Sequence, residues 1–153
     1  MRVTLLIRDV DVPHKADILQ QWFDRVWTDG DIDAIPDFLA ENSVATGILP
    51  DMALSSTDMP ELVQLMRSQL GHLDVRLVNT IESGDWIAAL LEVRSHVADT
   101  GDPVHAFGQI MARFDGNKMI EIYNSFDFLS YFEQLGQLPP NALAVLLTGN
   151  RLQ

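Results

Sequence analysis

The spacing of the apolar residues in this chain changes near Gly71, and the change divides the sequence into two kinds of structure. Before Gly71, apolar side chains recur every three or four residues, as on one face of an α-helix. Beyond it, between Leu73 and Phe126, they alternate with polar residues, as in strands that bury one face. Helices followed by a run of strands indicate an α+β domain, in which the helices cover one face of an antiparallel sheet.

The helical spacing predicts three helices in the first half of the chain. The first covers about residues 14–28, and the second, the shorter arm of a helical hairpin, covers 32–39 after an acidic turn. The third follows Asp58, which stands three residues before Glu61 as in a capping box. Between the second and third helices, residues 43–50 have the character of an extended segment.

Four strands are predicted after Gly71, separated by turn sequences rich in Gly, Asp and Asn. They cover about residues 73–82, 86–97, 104–114 and 119–126. Most of these strands exceed the usual length of about five or six residues, so the meander they form is expected to curl strongly. Helical spacing resumes at Phe128 and ends at Gly136.

Length and charge exclude several classes of function. The chain has 153 residues, which suits one domain, and its 10 basic against 22 acidic residues give a net charge of −12. Such a field repels phosphate groups, so we expect neither nucleic acid nor a membrane as a partner. The absence of cysteine favours a cytoplasmic location, and the apolar segment 3–7 is too short for a signal peptide.

Several segments, in this order along the chain, resemble the SnoaL-like polyketide-cyclase branch of the nuclear transport factor two-like superfamily. The resemblance extends from about residue 16 to residue 149. Its segments are WTDGDID at 27–33, FLAEN at 38–42, GDWI at 84–87, RFDGNKMIEIY at 113–123, FD at 126–127 and QLG at 134–136.

The resemblance implies a cone-shaped, strongly curved antiparallel sheet wrapped around the N-terminal helices, with an apolar pocket between them. It implies one domain over residues 1–153, in which 1–13 form an N-terminal extension and 137–153 a C-terminal tail. Many members are homodimers, which makes a homodimer the expected state here. In the related cyclases an Asp near the end of the last long strand is the base of an intramolecular aldol ring closure, without metal or organic cofactor. By position that residue corresponds to Asp127.

Asp127 has a second interpretation from the residues alone. A carboxylate at the mouth of an apolar cavity would be desolvated, which raises its pKa and makes it a usable base. An Asp directly before a helix that begins at Phe128 would instead cap that helix through its backbone N–H groups. The sequence leaves both roles open.

His105 is the second catalytic candidate, because a turn at residues 99–103 sets it opposite His96. Alternation places both histidines on one sheet face together with Glu92, Arg94 and Gln109. On a concave face His105 would serve as an acid or base near neutral pH. On a convex face the same residues would form a solvated or dimer-contacting surface.

The turn at residues 115–118 predicts which side chains share a face in the last two strands. Counting from this turn places Tyr123 on the side of Asp127 and Asn124 on the side of His105, unless a bulge intervenes. Tyr123, Asn124 and Gln109 are the polar candidates for ligand binding.

Aromatic residues of the first helix are the apolar candidates for ligand binding. Trp22 and Trp27 have the helical spacing either of a pocket wall or of ordinary core packing. The four histidines show no metal-binding spacing, and no nucleotide-binding or serine-hydrolase motif occurs, so no metal or cofactor is expected.

Two functions follow as hypotheses. The first is the cofactor-free cyclisation, isomerisation or dehydration of a small hydrophobic carbonyl compound, in which Asp127 abstracts a proton next to the carbonyl group. The second is a module that binds a small ligand or a protein without turnover. The presence of Ile122-Tyr123-Asn124, where relatives commonly have His-Trp-Asp, favours the second hypothesis.

Overall fold

A computed structural model, which describes residues 13–153, contains a six-stranded sheet with helices packed against one of its faces. Most of the predicted N-terminal extension, including the apolar segment 3–7, lies outside the described residues. The helical segments are α1 (Lys15–Trp22), a π-helix (Phe23–Thr28), a 3₁₀ turn (Ile32–Ala34), α2 (Ile35–Phe38), α3 (Met59–Ser68), α4 (Phe128–Gln134) and α5 (Ala142–Leu147). The strands are β1 (Leu39–Thr46), β2 (Leu54–Ser55), β3 (Asp74–Ser83), β4 (Trp86–His96), β5 (Pro103–Asp115) and β6 (Lys118–Phe126).

The first predicted helix is confirmed in its extent, but its hydrogen bonding changes part of the way along. After α1 the chain widens into the π-helix, whose end is marked by the amide of Asp29 donating to the carbonyl of Asp24, five residues earlier, at 2.9 Å. Arg67 of α3 closes this end, because its guanidinium donates to the carbonyl oxygens of Trp27 at 3.1 Å and Thr28 at 3.2 Å. A cation that binds the last carbonyl groups stabilises a helix C-terminus and here also joins it to α3.

Two details of the predicted helices are wrong. The second helix ends at Phe38 rather than Leu39, because Leu39 begins β1. The carboxylate of Asp58 does not cap α3; it accepts hydrogen bonds from the amide and the hydroxyl of Ser55, both at 2.8 Å. Ser55, in the short segment before α3, thus provides the carboxylate of Asp58 with the hydrogen-bond donors that the helix amides would have provided in a capping box.

The sheet has the strand order β2-β1-β6-β5-β4-β3. Strands β3 to β6 form the predicted antiparallel meander, which is confirmed, and β4 and β5 are long, with 11 and 13 residues. The segment predicted only as extended is β1, and it pairs with β6 in parallel. This is the one parallel pairing among the described strands, and it lies inside the sheet, because β2 pairs with the other side of β1 in antiparallel orientation.

A one-residue register shift near the β5–β6 turn reverses two predicted orientations. Because Ile120 is an extra residue in β6, Met111 pairs with Tyr123 and Ile110 with Asn124. Ile110 is buried at 3% exposure, whereas Met111 is 47% exposed. Asn124 therefore lies on the inner face with the core, and Tyr123 lies on the outer, exposed face, contrary to the count from the turn.

The predicted C-terminal tail contains α5, which is joined to α4. The carboxylate of Glu133 accepts hydrogen bonds from the amides of Asn141 at 2.8 Å and Ala142 at 3.2 Å, the start of α5. Ala142 is fully buried. An acceptor at these amides is favourable, since the first N–H groups of a helix have no partner within it.

Candidate functional site

An apolar cavity of about 110 Å³ lies between the inner face of the sheet and the helices. A cavity of about 150 Å³ can hold benzene, so this one is close to the size of a single small ring. Its 17 lining residues are Phe23, Trp27, Ile48, Leu62, Met66, Leu70, Leu73, Val75, Leu91, Val93, Gly108, Gln109, Asn124, Ser125, Phe126, Phe128 and Tyr131.

Each wall of the cavity comes from a different element. Phe23 and Trp27 belong to the π-helix, Met66 comes from α3, and the sheet supplies the floor, which includes Leu91 and Gly108. Gly108 has a specific role, because a Cβ atom at this position would lie 2.8 Å from the ring of Phe126. The missing side chain leaves the space that Phe126 occupies beside the cavity.

None of the 17 lining residues is an Asp, Glu, His, Lys or Arg, within the part of the chain that the structure describes. Four have amide or hydroxyl side chains: Gln109, Asn124, Ser125 and Tyr131. Gln109 of β5 and Ser125 of β6 are exposed on the outer face, where they occupy facing positions on the two paired strands. Asn124 donates its side-chain amide to the carbonyl of Thr46 at 3.1 Å.

Tyr131, which the sequence analysis missed, is the most deeply buried of these four residues, with 1% exposure. Burial raises the pKa of its phenol, so the hydroxyl remains protonated at neutral pH. A usable signal was present in the sequence. Tyr131 completes the helical spacing of Phe128, Phe132 and Leu135, and a tyrosine inside an apolar stripe places a hydroxyl in the core.

Asp127 is exposed and caps α4, with its Oδ1 atom accepting a hydrogen bond from the amide of Ser130 at 3.1 Å. Its side chain is not part of the cavity lining, but its two neighbours, Phe126 and Phe128, are. The structure therefore places the carboxylate beside the cavity, in contact with solvent rather than desolvated.

His105 lies on the outer face of the sheet, away from the cavity. Its Nε2 atom is 2.8 Å from the carboxylate of Glu92, which also accepts from Arg94 at 2.6 Å. These hydrogen bonds, first from His105 and then from Arg94, lower the pKa of Glu92. The side chain of Gln134 holds the backbone of His105, accepting from its amide at 2.7 Å and donating to its carbonyl at 2.9 Å.

The other predicted ligand-binding residues are divided between the cavity, the core and the outer face. Trp27 lines the cavity, whereas Trp22 is buried at 4% exposure and packs edge-on against Phe38, with ring centroids 5.9 Å apart. Tyr123 lies on the outer face, where its hydroxyl donates to Glu121 at 2.5 Å. This hydrogen bond raises the pKa of Tyr123 and lowers that of Glu121.

Two kinds of feature are absent from residues 13–153. No group of three His, Asp or Glu side chains in this range is arranged to hold a metal ion. None of the helices in this range combines the length and the apolar character needed to cross a bilayer.

Comparison with known proteins places the fold. The profile of the SnoaL-like domain matches residues 19–122, more than half of the chain. No curated protein matches the sequence closely enough to count as a relative.

Among solved structures, IdmH from Streptomyces antibioticus, a proposed polyketide cyclase, superposes with a TM-score of 0.71 at 16% identity, covering 81% of this chain and 99% of IdmH. AclR from Streptomyces galilaeus, a proposed hydroxylase, gives a TM-score of 0.72 at 19% identity, with 88% of each chain covered. A protein of ketosteroid isomerase-like fold from Catenulispora acidiphila, bound to trimethylamine, gives 0.68 at 13% identity, covering 78% of this chain and 92% of that protein. At these identities the likeness shows the fold alone, which is the one that the sequence resemblance predicted.

Proposed function

The chain belongs to the SnoaL-like domain family, and from this membership we propose that it binds a small apolar carbonyl compound in the cavity between the sheet and the helices. The observation that carries the proposal is the character of the cavity lining. Aliphatic and aromatic side chains predominate, no charged group is present among the described lining residues, and the polar side chains on the inner side are those of Asn124 and Tyr131. Sites for small organic ligands have this composition.

Filling the cavity is expected to weaken ligand binding. Leu91 lines the cavity, so Leu91→Phe adds a ring to the space that a ligand would occupy. The measurement is the dissociation constant of a small cyclic ketone such as cyclohexanone, followed by ligand-observed NMR. We expect Leu91→Phe to weaken binding by at least about tenfold, equivalent to about 1.4 kcal/mol.

The neighbouring residue provides a matched control. Leu90 lies next to Leu91 in β4 but on the outer face, where it is half-buried. Leu90→Phe makes the same chemical change away from the cavity and is expected to leave the dissociation constant unchanged. Equal binding by both variants and the wild type would place the ligand elsewhere and contradict the proposal.

A second function, cofactor-free proton abstraction, is favoured by the position of Asp127. Asp127 follows Phe126 and precedes Phe128 in the chain, two residues that line the cavity, and it corresponds to the base of the cyclases that the sequence resembles. In this proposal the carboxylate takes a proton from the carbon next to the carbonyl group of the bound compound. The products would be those of cyclisation, isomerisation or dehydration.

Asparagine at position 127 separates the two roles of this residue, because Asn caps a helix as well as Asp does but is not a base. If proton abstraction is the function, Asp127→Asn is expected to reduce kcat/KM with enone or polyketide-like substrates by about 10²–10⁴-fold, the usual contribution of a general base. Its stability should stay at the wild-type value, while Asp127→Ala, the control for the cap, should lose about 1 kcal/mol. Equal rates for wild type and Asp127→Asn would show that Asp127 caps α4 but is not a base.

We also propose that the outer face of the sheet joins two copies of the chain. Phe107, Met111 and Tyr123 are each close to half exposed there, which is unusual for large apolar side chains. The charges on this face are balanced, since three arginines each contact one carboxylate: Arg76 with Asp74, Arg94 with Glu92, and Arg113 with Glu121. In a chain of net charge −12, a neutral face is where a second copy can approach without repulsion.

A further inference from the structure

The hydroxyl of Tyr131 has no hydrogen-bond partner within residues 13–153, although it is fully buried. A buried polar group without a partner costs about 1–3 kcal/mol, and native proteins contain few of them. The only other side chain in this condition in the described range is Thr28, which does not line the cavity. Tyr131 does line it.

The ring of Tyr131 is held in place by its aromatic neighbours. It packs edge-on against Phe132, Phe126 and Phe128, with centroid distances of 5.2, 5.7 and 6.4 Å. Such contacts favour one ring orientation. The hydroxyl is therefore a donor at a fixed position, prepared before any ligand arrives.

The other amide and hydroxyl groups of the lining do not offer an equivalent donor. Asn124 is less deeply buried than Tyr131 and already donates one of its two amide N–H groups to Thr46, and Gln109 and Ser125 are exposed residues of the outer face. The phenol is protonated at neutral pH, because burial disfavours its ionised form. An acceptor oxygen of a ligand is the partner that this donor lacks.

We propose that Tyr131 is the polar anchor of the cavity and donates its hydroxyl proton to the carbonyl oxygen of a ligand about the size of one ring. This inference rests on the proposed binding function and adds to it the residue that selects a carbonyl compound over a hydrocarbon of the same shape. A site that hydrogen-bonds one group discriminates strongly against an analogue that lacks it, since the protein group is then left unpaired.

The test compares two probes of the same shape, cyclohexanone and methylenecyclohexane, which differ only in C=O against C=CH₂. Dissociation constants are measured by ligand-observed NMR for wild type and Tyr131→Phe. The ratio of ketone affinity to alkene affinity is expected to be at least about tenfold higher in the wild type than in Tyr131→Phe, the difference that one net hydrogen bond supplies. This difference should come from weaker ketone binding by Tyr131→Phe, with alkene binding unchanged or tighter.

Tyr123→Phe is the matched control, because it removes a tyrosine hydroxyl from the outer face, where Glu121 is its partner. It should leave both dissociation constants as in the wild type. Urea unfolding of Tyr131→Phe gives a second readout. The variant should be at least as stable as the wild type, because the lost hydroxyl had no partner in the fold.

The possible failures can be told apart. If wild type and Tyr131→Phe bind both probes with the same ratio of affinities, Tyr131 is not the anchor, while the binding function stands. If Tyr131→Phe loses stability and both probes together, its role is structural and the inference is wrong. If the wild type binds neither probe, the proposed function itself fails and the inference falls with it.

Discussion

Substituting alanine for Gly47 is expected to lower the free energy of unfolding by about 3 kcal/mol or more. Gly47 has φ +87°, and a left-handed conformation costs a residue with a side chain about 1–2 kcal/mol. The larger effect comes from contact, because a Cβ atom at Gly47 would lie 1.9 Å from the backbone oxygen of Asn124. The end of β1 and the facing part of β6 would have to separate, which disturbs the bond between Asn124 and Thr46.

Gly116 offers a control that has the strain without the contact. Its φ is +60°, and nothing lies within 4 Å of a Cβ atom at that position. Gly116→Ala should therefore lose only about 1–2 kcal/mol in urea unfolding. Equal losses in the two variants would mean that the close approach of Gly47 to β6 does not contribute to the loss of stability.

Because Ile48 follows Gly47 and lines the cavity, Gly47→Ala should also weaken ligand binding.

Introducing a carboxylate at Met111 is expected to dissociate the proposed homodimer. Met111 lies on β5, which has strands on both sides, and its side chain is 47% exposed on the outer face. Burying an unpaired charge in an interface costs several kcal/mol, so Met111→Asp should weaken association by at least about 100-fold. Light scattering coupled to size exclusion would then give a mass close to 17.1 kDa in place of twice that value.

Leu65→Asp is the control for this substitution. Leu65 is 58% exposed, but it belongs to α3 rather than to the sheet, so the same added charge should leave the dimer intact. A wild-type protein that stays monomeric at all concentrations would contradict the proposal. Met111→Asp should not change ligand binding, since Met111 does not line the cavity.

The meander could be predicted because its signal is local. Alternation between Leu73 and Phe126 depends on neighbouring residues, and turn sequences separate the four strands. The orientation of β6 could not be predicted in the same way. One extra residue, Ile120, is enough to exchange the faces of Tyr123 and Asn124, and Ile120 and Ile122 are both apolar, so the sequence does not mark the bulge. The partner of β1 is likewise set by packing between distant segments.

For the candidate site, the sequence indicates the type of each residue but not the surroundings of its side chain. Trp27 and Asn124 line the cavity, and the capping interpretation of Asp127 matches the structure. The faces of His105 and Tyr123 depend on sheet curvature and register, which the composition of a strand does not determine. Tyr131 was not predicted as a site residue because it belongs to no recognised catalytic or binding motif. Its position among the aromatic residues of α4 nevertheless follows from the sequence.

The π-helix has a consequence for deletions and insertions. Phe23 and Trp27 both lie in it, four residues apart, and both line the cavity. Removing one residue from this segment would shift every residue after the gap by one position, so that each would point in a different direction about the helix axis. The indole of Trp27 would then no longer occupy its present place in the cavity lining, although Trp27 itself is unchanged. Chain length between residues 23 and 28 is thus itself under constraint, separately from the identity of any side chain there.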